Sequence, residues 1–184
     1  MRKLLEGLYG CAEVLAMAAL VVIALMVGAQ VLGRVADTIL VMLGQPPYGF
    51  LIPSLAEFAG FFLVAASFLA LAGTLRGGVH IRVTVATSHL PPTLRRGAEI
   101  LVLVIAAALM LFIFWYSARL ALDSYSFNEV SYGIIAVPLW IPQAAMAAGA
   151  GIFAIALLDD LVCAVRGGTP SYVAEEALHG QEGQ

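Results

Sequence analysis

Few side chains in this protein can do chemistry, and where they fall limits what that chemistry can be. His80, His89 and His179 all lie outside the apolar runs, so no facing pair can ligate a haem inside a membrane bundle. Cys11 and Cys163 stand near opposite ends with no Cys-x-x-Cys and no partnering histidine, which gives neither a disulfide framework nor a zinc pattern. Serine, histidine and acidic residues are gathered at no hydrolase spacing, and no glycine-rich phosphate loop occurs. No run of Asp, Glu or His threads an apolar segment as a proton relay, and no interrupted pair of helices marks a transporter's own substrate site. The sequence therefore predicts no catalytic residue, no metal ligand and no cofactor.

The remaining polar chemistry sits at the ends of apolar runs. An ionisable group at the centre of a membrane helix costs roughly 2.5–3.5 kcal/mol on the insertion scale, and none is central here. Arg34 closes the first run and Glu57 opens the second on the same side. Two readings stand. Either the two pair and hold those helices together, or Arg34 snorkels into the headgroups while Glu57 is an N-terminal charge favoured by the helix dipole. Gln30, four residues before Arg34, shares its helical face and can hydrogen-bond inside the bundle.

These residues need a membrane to position them. The 184 residues are 62% hydrophobic and 11% charged, and the mean hydropathy of +0.98 lies far from that of soluble domains. With 9 Lys+Arg against 12 Asp+Glu and a net charge of −3, there is no basic surface for nucleic acid. Because backbone polar groups find no water in hydrocarbon, each span must be a helix of about 20 apolar residues. Charge-free runs at 14–33, 58–75, 100–118 and 130–158 lead to four spans, at about 14–33, 57–75, 100–120 and 141–163, in a membrane domain covering 1–166. Pro138, Trp140 and Pro142 mark the interfacial approach to the fourth. Arg2-Lys3 ahead of an apolar stretch imitates a secretory signal, but that stretch is too long for one and lacks a small-x-small site, so no cleavage is expected. The segment 167–184, rich in Gly, Glu and Gln, reads as a disordered tail.

Orientation follows from the basic residues. Arg2, Lys3, Arg76, Arg82, Arg95, Arg96 and Arg166 fall on one side, against Arg34 and Arg119 on the other. Both termini and the second loop are therefore expected in the cytoplasm. That loop carries His80, Arg82, Arg95 and Arg96 among Val and Ile residues, and reads as an interfacial segment whose arginines reach lipid phosphates.

Within the second span, Gly60, Ser67 and Thr74 recur every seven residues, and the fourth offers Ala144, Ala147, Ala148, Gly151 and Ala154. Small residues let backbones approach closely, so these faces are expected to touch protein, whereas the bulkier third span faces lipid. Alanine-rich helices also show such seams by chance, and that reading stays open. The outer loops, with Pro47 and Tyr48 in the first and Pro138 and Trp140 at the end of the second, are candidates for docking a partner outside the membrane.

Taken in order, these features resemble the DctQ-like family, the small membrane subunits of tripartite ATP-independent periplasmic (TRAP) transporters. The resemblance rests on Arg34 closing the first helix, Glu57 opening the second, and Gly77-Gly78-Val79-His80-Ile81-Arg82-Val83. It continues through Leu90-Pro91 before basic residues and Glu99, then Ser131, Gly133, Pro138, Trp140, Ile141-Pro142 and Gly149. Val35 stands where the family often has an aromatic residue, and Thr84 where it often has an acid. The resemblance implies an all-α protein of the bacterial inner membrane, without enzymatic activity. Such a subunit braces a large elevator-type permease that moves organic acids on a sodium gradient, and helps dock a periplasmic substrate-binding protein. The alternative is a membrane anchor for a respiratory or other enzyme complex, and a third reading is a free-standing channel or small exporter.

Overall fold

The computed structural model describes residues 2–76 and 92–166. They form four helices: α1 (Arg2–Met42), α2 (Leu55–Arg76), α3 (Pro92–Ser126) and α4 (Trp140–Val165). Each is long and apolar enough to cross a membrane, as the charge-free runs predict. No strand occurs among the described residues; Val130 and Pro138 form an isolated bridge.

The helices outrun the apolar cores expected from sequence, and local chemistry accounts for where each stops. α1 continues past Arg34 because one charge does not break a helix. It ends at Gly44, whose φ of +72° suits a residue without Cβ, just ahead of Pro46-Pro47. α3 begins at Pro92, a favoured first helical residue because its missing N–H would have no intrahelical partner. Its far end is closed by the Glu129 N–H donating to the Ser124 carbonyl at 2.9 Å, with Asn128 in the left-handed region.

Packing runs α1, α2, α4, α3, with α1 reaching α4 only lightly. The helices thus form an open row with α1 and α3 at its edges. α4 is the most enclosed, because Ala147, Gly149, Ala150, Ala154 and Ala156 let its neighbours close in on it. The main core cluster joins Tyr9, Ala72, Leu75, Leu103, Ala107, Phe153, Ala156, Leu157 and Ala164. It therefore sits toward the α1 N-terminus and the α4 C-terminus. Beyond Ala19 no residue of α1 is fully buried, so its second half lies against the row by one side only.

Two expectations change here. Arg95 and Arg96 belong to α3 rather than to a loop. The Arg96 guanidinium reaches α4: its Nη2 donates to the Ala164 and Val165 carbonyls at 3.1 and 3.3 Å. Those are the last carbonyls of α4, which no helical N–H can satisfy, and a cation there also complements the helix dipole. His80, Arg82 and the expected interfacial segment lie outside the described residues, as does the 167–184 tail.

Candidate functional site

The end of the row away from the N-terminus is assembled by two loops that fold back onto the helices. After Gly44 the chain returns along α1. The Tyr48 and Gly49 N–H groups donate to the two Asp37 carboxylate oxygens at 2.7 and 3.1 Å, and the Ile52 N–H donates to Gln30 Oε1 at 2.9 Å. Between these ties the Phe50 ring lies on Gly33, where a Cβ would fall 2.5 Å from it. Gln30, Gly33 and Asp37 sit on one helical face, so the loop forms a strap along it. Gln30 thus accepts from the loop backbone.

The second loop, 127–139, is held from inside. The buried Ser124 hydroxyl donates to Glu129 Oε2 at 2.6 Å. The Ser131 N–H donates to the Val137 carbonyl at 2.8 Å, and the Ser131 hydroxyl accepts from the Val137 N–H at 3.1 Å. The loop joins α2 through the Ile135 N–H, which donates to Ser54 Oγ at 3.1 Å. Tyr125 and Trp140 meet edge to face with centroids 5.7 Å apart. Pro138 and Trp140 thus close the loop, while Tyr48, Tyr132 and Ile134 project from the surface.

Arg34 and Glu57 do not pair. Arg34 is exposed, and the Glu57 carboxylate instead packs against Gly133 of the outer loop, with Ser54 Oγ beside it. Its Oε2 is buried and has no hydrogen-bond partner.

The seam of α2 divides. Thr74 is half-buried and its hydroxyl donates to the Leu71 carbonyl at 2.9 Å. Gly60 and Ser67 face outward with Ala56 and Leu63, forming a stripe at helical spacing that none of the other described helices covers. In contrast, Gly151 is used internally: a Cβ there would lie 3.0 Å from the Phe114 ring of α3. The contact that brings α2 and α4 together is Gly149, where a Cβ would fall 2.5 Å from the Phe68 carbonyl carbon. Gly73 performs a similar service for α1, lying under the Glu13 carboxylate.

Sequence reasoning missed Gly149 as a packing residue, because the alanines around it carry the same small-residue signal. It also missed the loop ties of Asp37, Ser54, Ser124 and Ser131, which depend on where distant backbone amides arrive. Asp160, buried within the last two turns of α4, is another residue that sequence reasoning does not single out. Among the described residues no group of three His, Cys, Asp or Glu is placed to hold a metal ion.

Comparison with known proteins agrees with this architecture. Residues 23–167 match the family described as tripartite ATP-independent periplasmic transporters, DctQ component. No curated protein matches the chain.

Proposed function

The chain belongs to the DctQ family, the small membrane component of TRAP transporters, and on that premise we propose that it is the non-translocating brace of its transporter. In this reading it lies in the bacterial inner membrane with both termini in the cytoplasm. It holds a large elevator-type subunit that moves an organic acid on a sodium gradient, and presents its outer loops to the periplasmic substrate-binding protein. The match to a transporter component makes an anchor for a respiratory enzyme the weaker reading.

The observation that carries the proposal is the outward stripe of α2. Gly60 and Ser67 offer close backbone approach and a hydroxyl within the span, yet the other described helices leave them uncovered. A lipid tail gains nothing from such a surface, whereas a second helix packs on it without side-chain obstruction. The open row supports the same reading, since its flat faces extend a neighbouring scaffold more readily than a closed bundle does. At the outer end Tyr48 and Pro47 stand free, joined by Tyr132 and Ile134, on loops whose internal hydrogen bonds hold them ready to dock.

The test is co-purification. Gly60→Leu with Ser67→Leu fills the stripe without touching an internal contact. The expected result is loss of the large subunit from the purified complex while the small subunit stays monodisperse in detergent. Recovery of the large subunit at the native ratio overturns the proposal.

A further inference from the structure

α1 is 41 residues long, about 61 Å at 1.5 Å per residue, against a hydrocarbon core of about 30 Å. The stretch from Val14 to Gly33 already suffices for an upright crossing. An upright helix would lift the turns from Arg34 to Met42, about 13 Å of helix, clear of the hydrocarbon.

Those turns are not built for water. Val31, Val35, Ile39 and Met42 are exposed, and their three- and four-residue steps place them on one stripe. Apart from Arg34, the polar side chains along this stretch are occupied within the chain. Gln30 and Asp37 accept the strap amides, and the Thr38 hydroxyl donates to the Arg34 carbonyl at 2.9 Å. The strap therefore covers the polar side of this segment. What remains outside is an apolar side continuous with the exposed residues Val14, Val21 and Leu25 of the span itself.

We infer that the outer third of α1 is a lipid-contact surface, immersed at the boundary of acyl chains and headgroups in the leaflet farther from the N-terminus. Steep tilting of α1 brings it there, as it does for other helices longer than the bilayer is thick. Arg34, exposed on the flank of the stripe, supplies the charge that meets the lipid phosphates. Lipid is the occupant favoured over a protein by what the stripe lacks. From Val31 to Met42 its four side chains are branched or flexible and apolar, with no small residue and no free hydrogen-bonding group among them, whereas the outward stripe of α2 has both. Its continuity with the membrane-spanning surface points the same way.

The test uses the assembled transporter complex in phospholipid vesicles. Cys11 and Cys163 are replaced by alanine, and Val35→Cys, Ile39→Cys and Met42→Cys are labelled singly with a small fluorophore. Lipids carrying a nitroxide near the top of the acyl chain should quench Val35 and Ile39 labels several-fold more strongly than aqueous iodide does. Stronger quenching by iodide, showing a water-exposed stripe, overturns the inference. So does protection from both quenchers, which would mean that a protein covers it. The same labels on the small subunit alone keep this inference separate from the proposed brace: lipid quenching there is expected whether or not the large subunit binds.

Discussion

Gly149 of α4 lies so close to Phe68 of α2 that a methyl group on it would sit 2.5 Å from the Phe68 carbonyl carbon and 2.6 Å from its oxygen. The obstacle is backbone, which cannot rotate aside, so the helices must separate to admit even one carbon. At Gly151 the neighbour is the Phe114 ring, 3.0 Å from the same hypothetical atom, and a ring can turn. Gly149→Ala should therefore destabilise the chain by about 1–3 kcal/mol, the range for overpacking a filled core, and Gly151→Ala by distinctly less. Thermal unfolding in detergent orders the two; equal effects would contradict the assignment of the close approach to Gly149.

Asp37 fastens the strap through two amide hydrogen bonds. Asp37→Ala should release residues 46–50 while leaving the helices in place. Hydrogen exchange at Tyr48 and Gly49 is expected to accelerate, with exchange in α2 and α4 unchanged. Protection retained at both amides would show that Phe50 on Gly33 and the Gln30 tie hold the strap without the carboxylate.

Ser124 is fully buried and donates to the Glu129 carboxylate. Ser124→Ala leaves that acceptor short of a donor, at a cost of about 1–3 kcal/mol. The loss should appear as proteolytic cleavage within 127–139 rather than as general unfolding, since the other ties of this loop run through Ser131 and Ser54.

The sequence announces the number of spans and the approximate place of each, because hydrocarbon demands long apolar helices and the charge-free runs are few. Its small residues also single out α2 and α4 together as the better-packed helices, without saying which is the more enclosed. Three things are not legible there. Gly149 and Gly151 differ by two positions and carry the same compositional signal, so only the crossing of α2 over α4 tells which meets backbone. Asp37 and Gln30 look like an exposed acid and a bundle amide until the loop returns to present its N–H groups. Arg96 reads as one basic residue among several, and becomes a cap for α4 only because the first turns of α3 pass the Ala164 and Val165 carbonyls.

The separation of Arg34 from Glu57 gives a further prediction. Glu57 packs on Gly133 and Arg34 faces outward, so their mutations should be independent. Arg34→Glu and Glu57→Arg, combined, should show no mutual rescue, with a coupling energy inside the roughly 0.3–0.5 kcal/mol expected for unconnected sites. Partial recovery of assembly in the double variant would restore the ion pair that charge and position suggest.

The most direct measurement of the central claim is sodium-driven uptake into liposomes of three compositions: the small subunit alone, the large subunit with the binding protein, and all three together. The account predicts no accumulation by the small subunit alone and uptake that depends on its presence in the full mixture. Solute accumulation by the small subunit alone, or undiminished uptake without it, would contradict it.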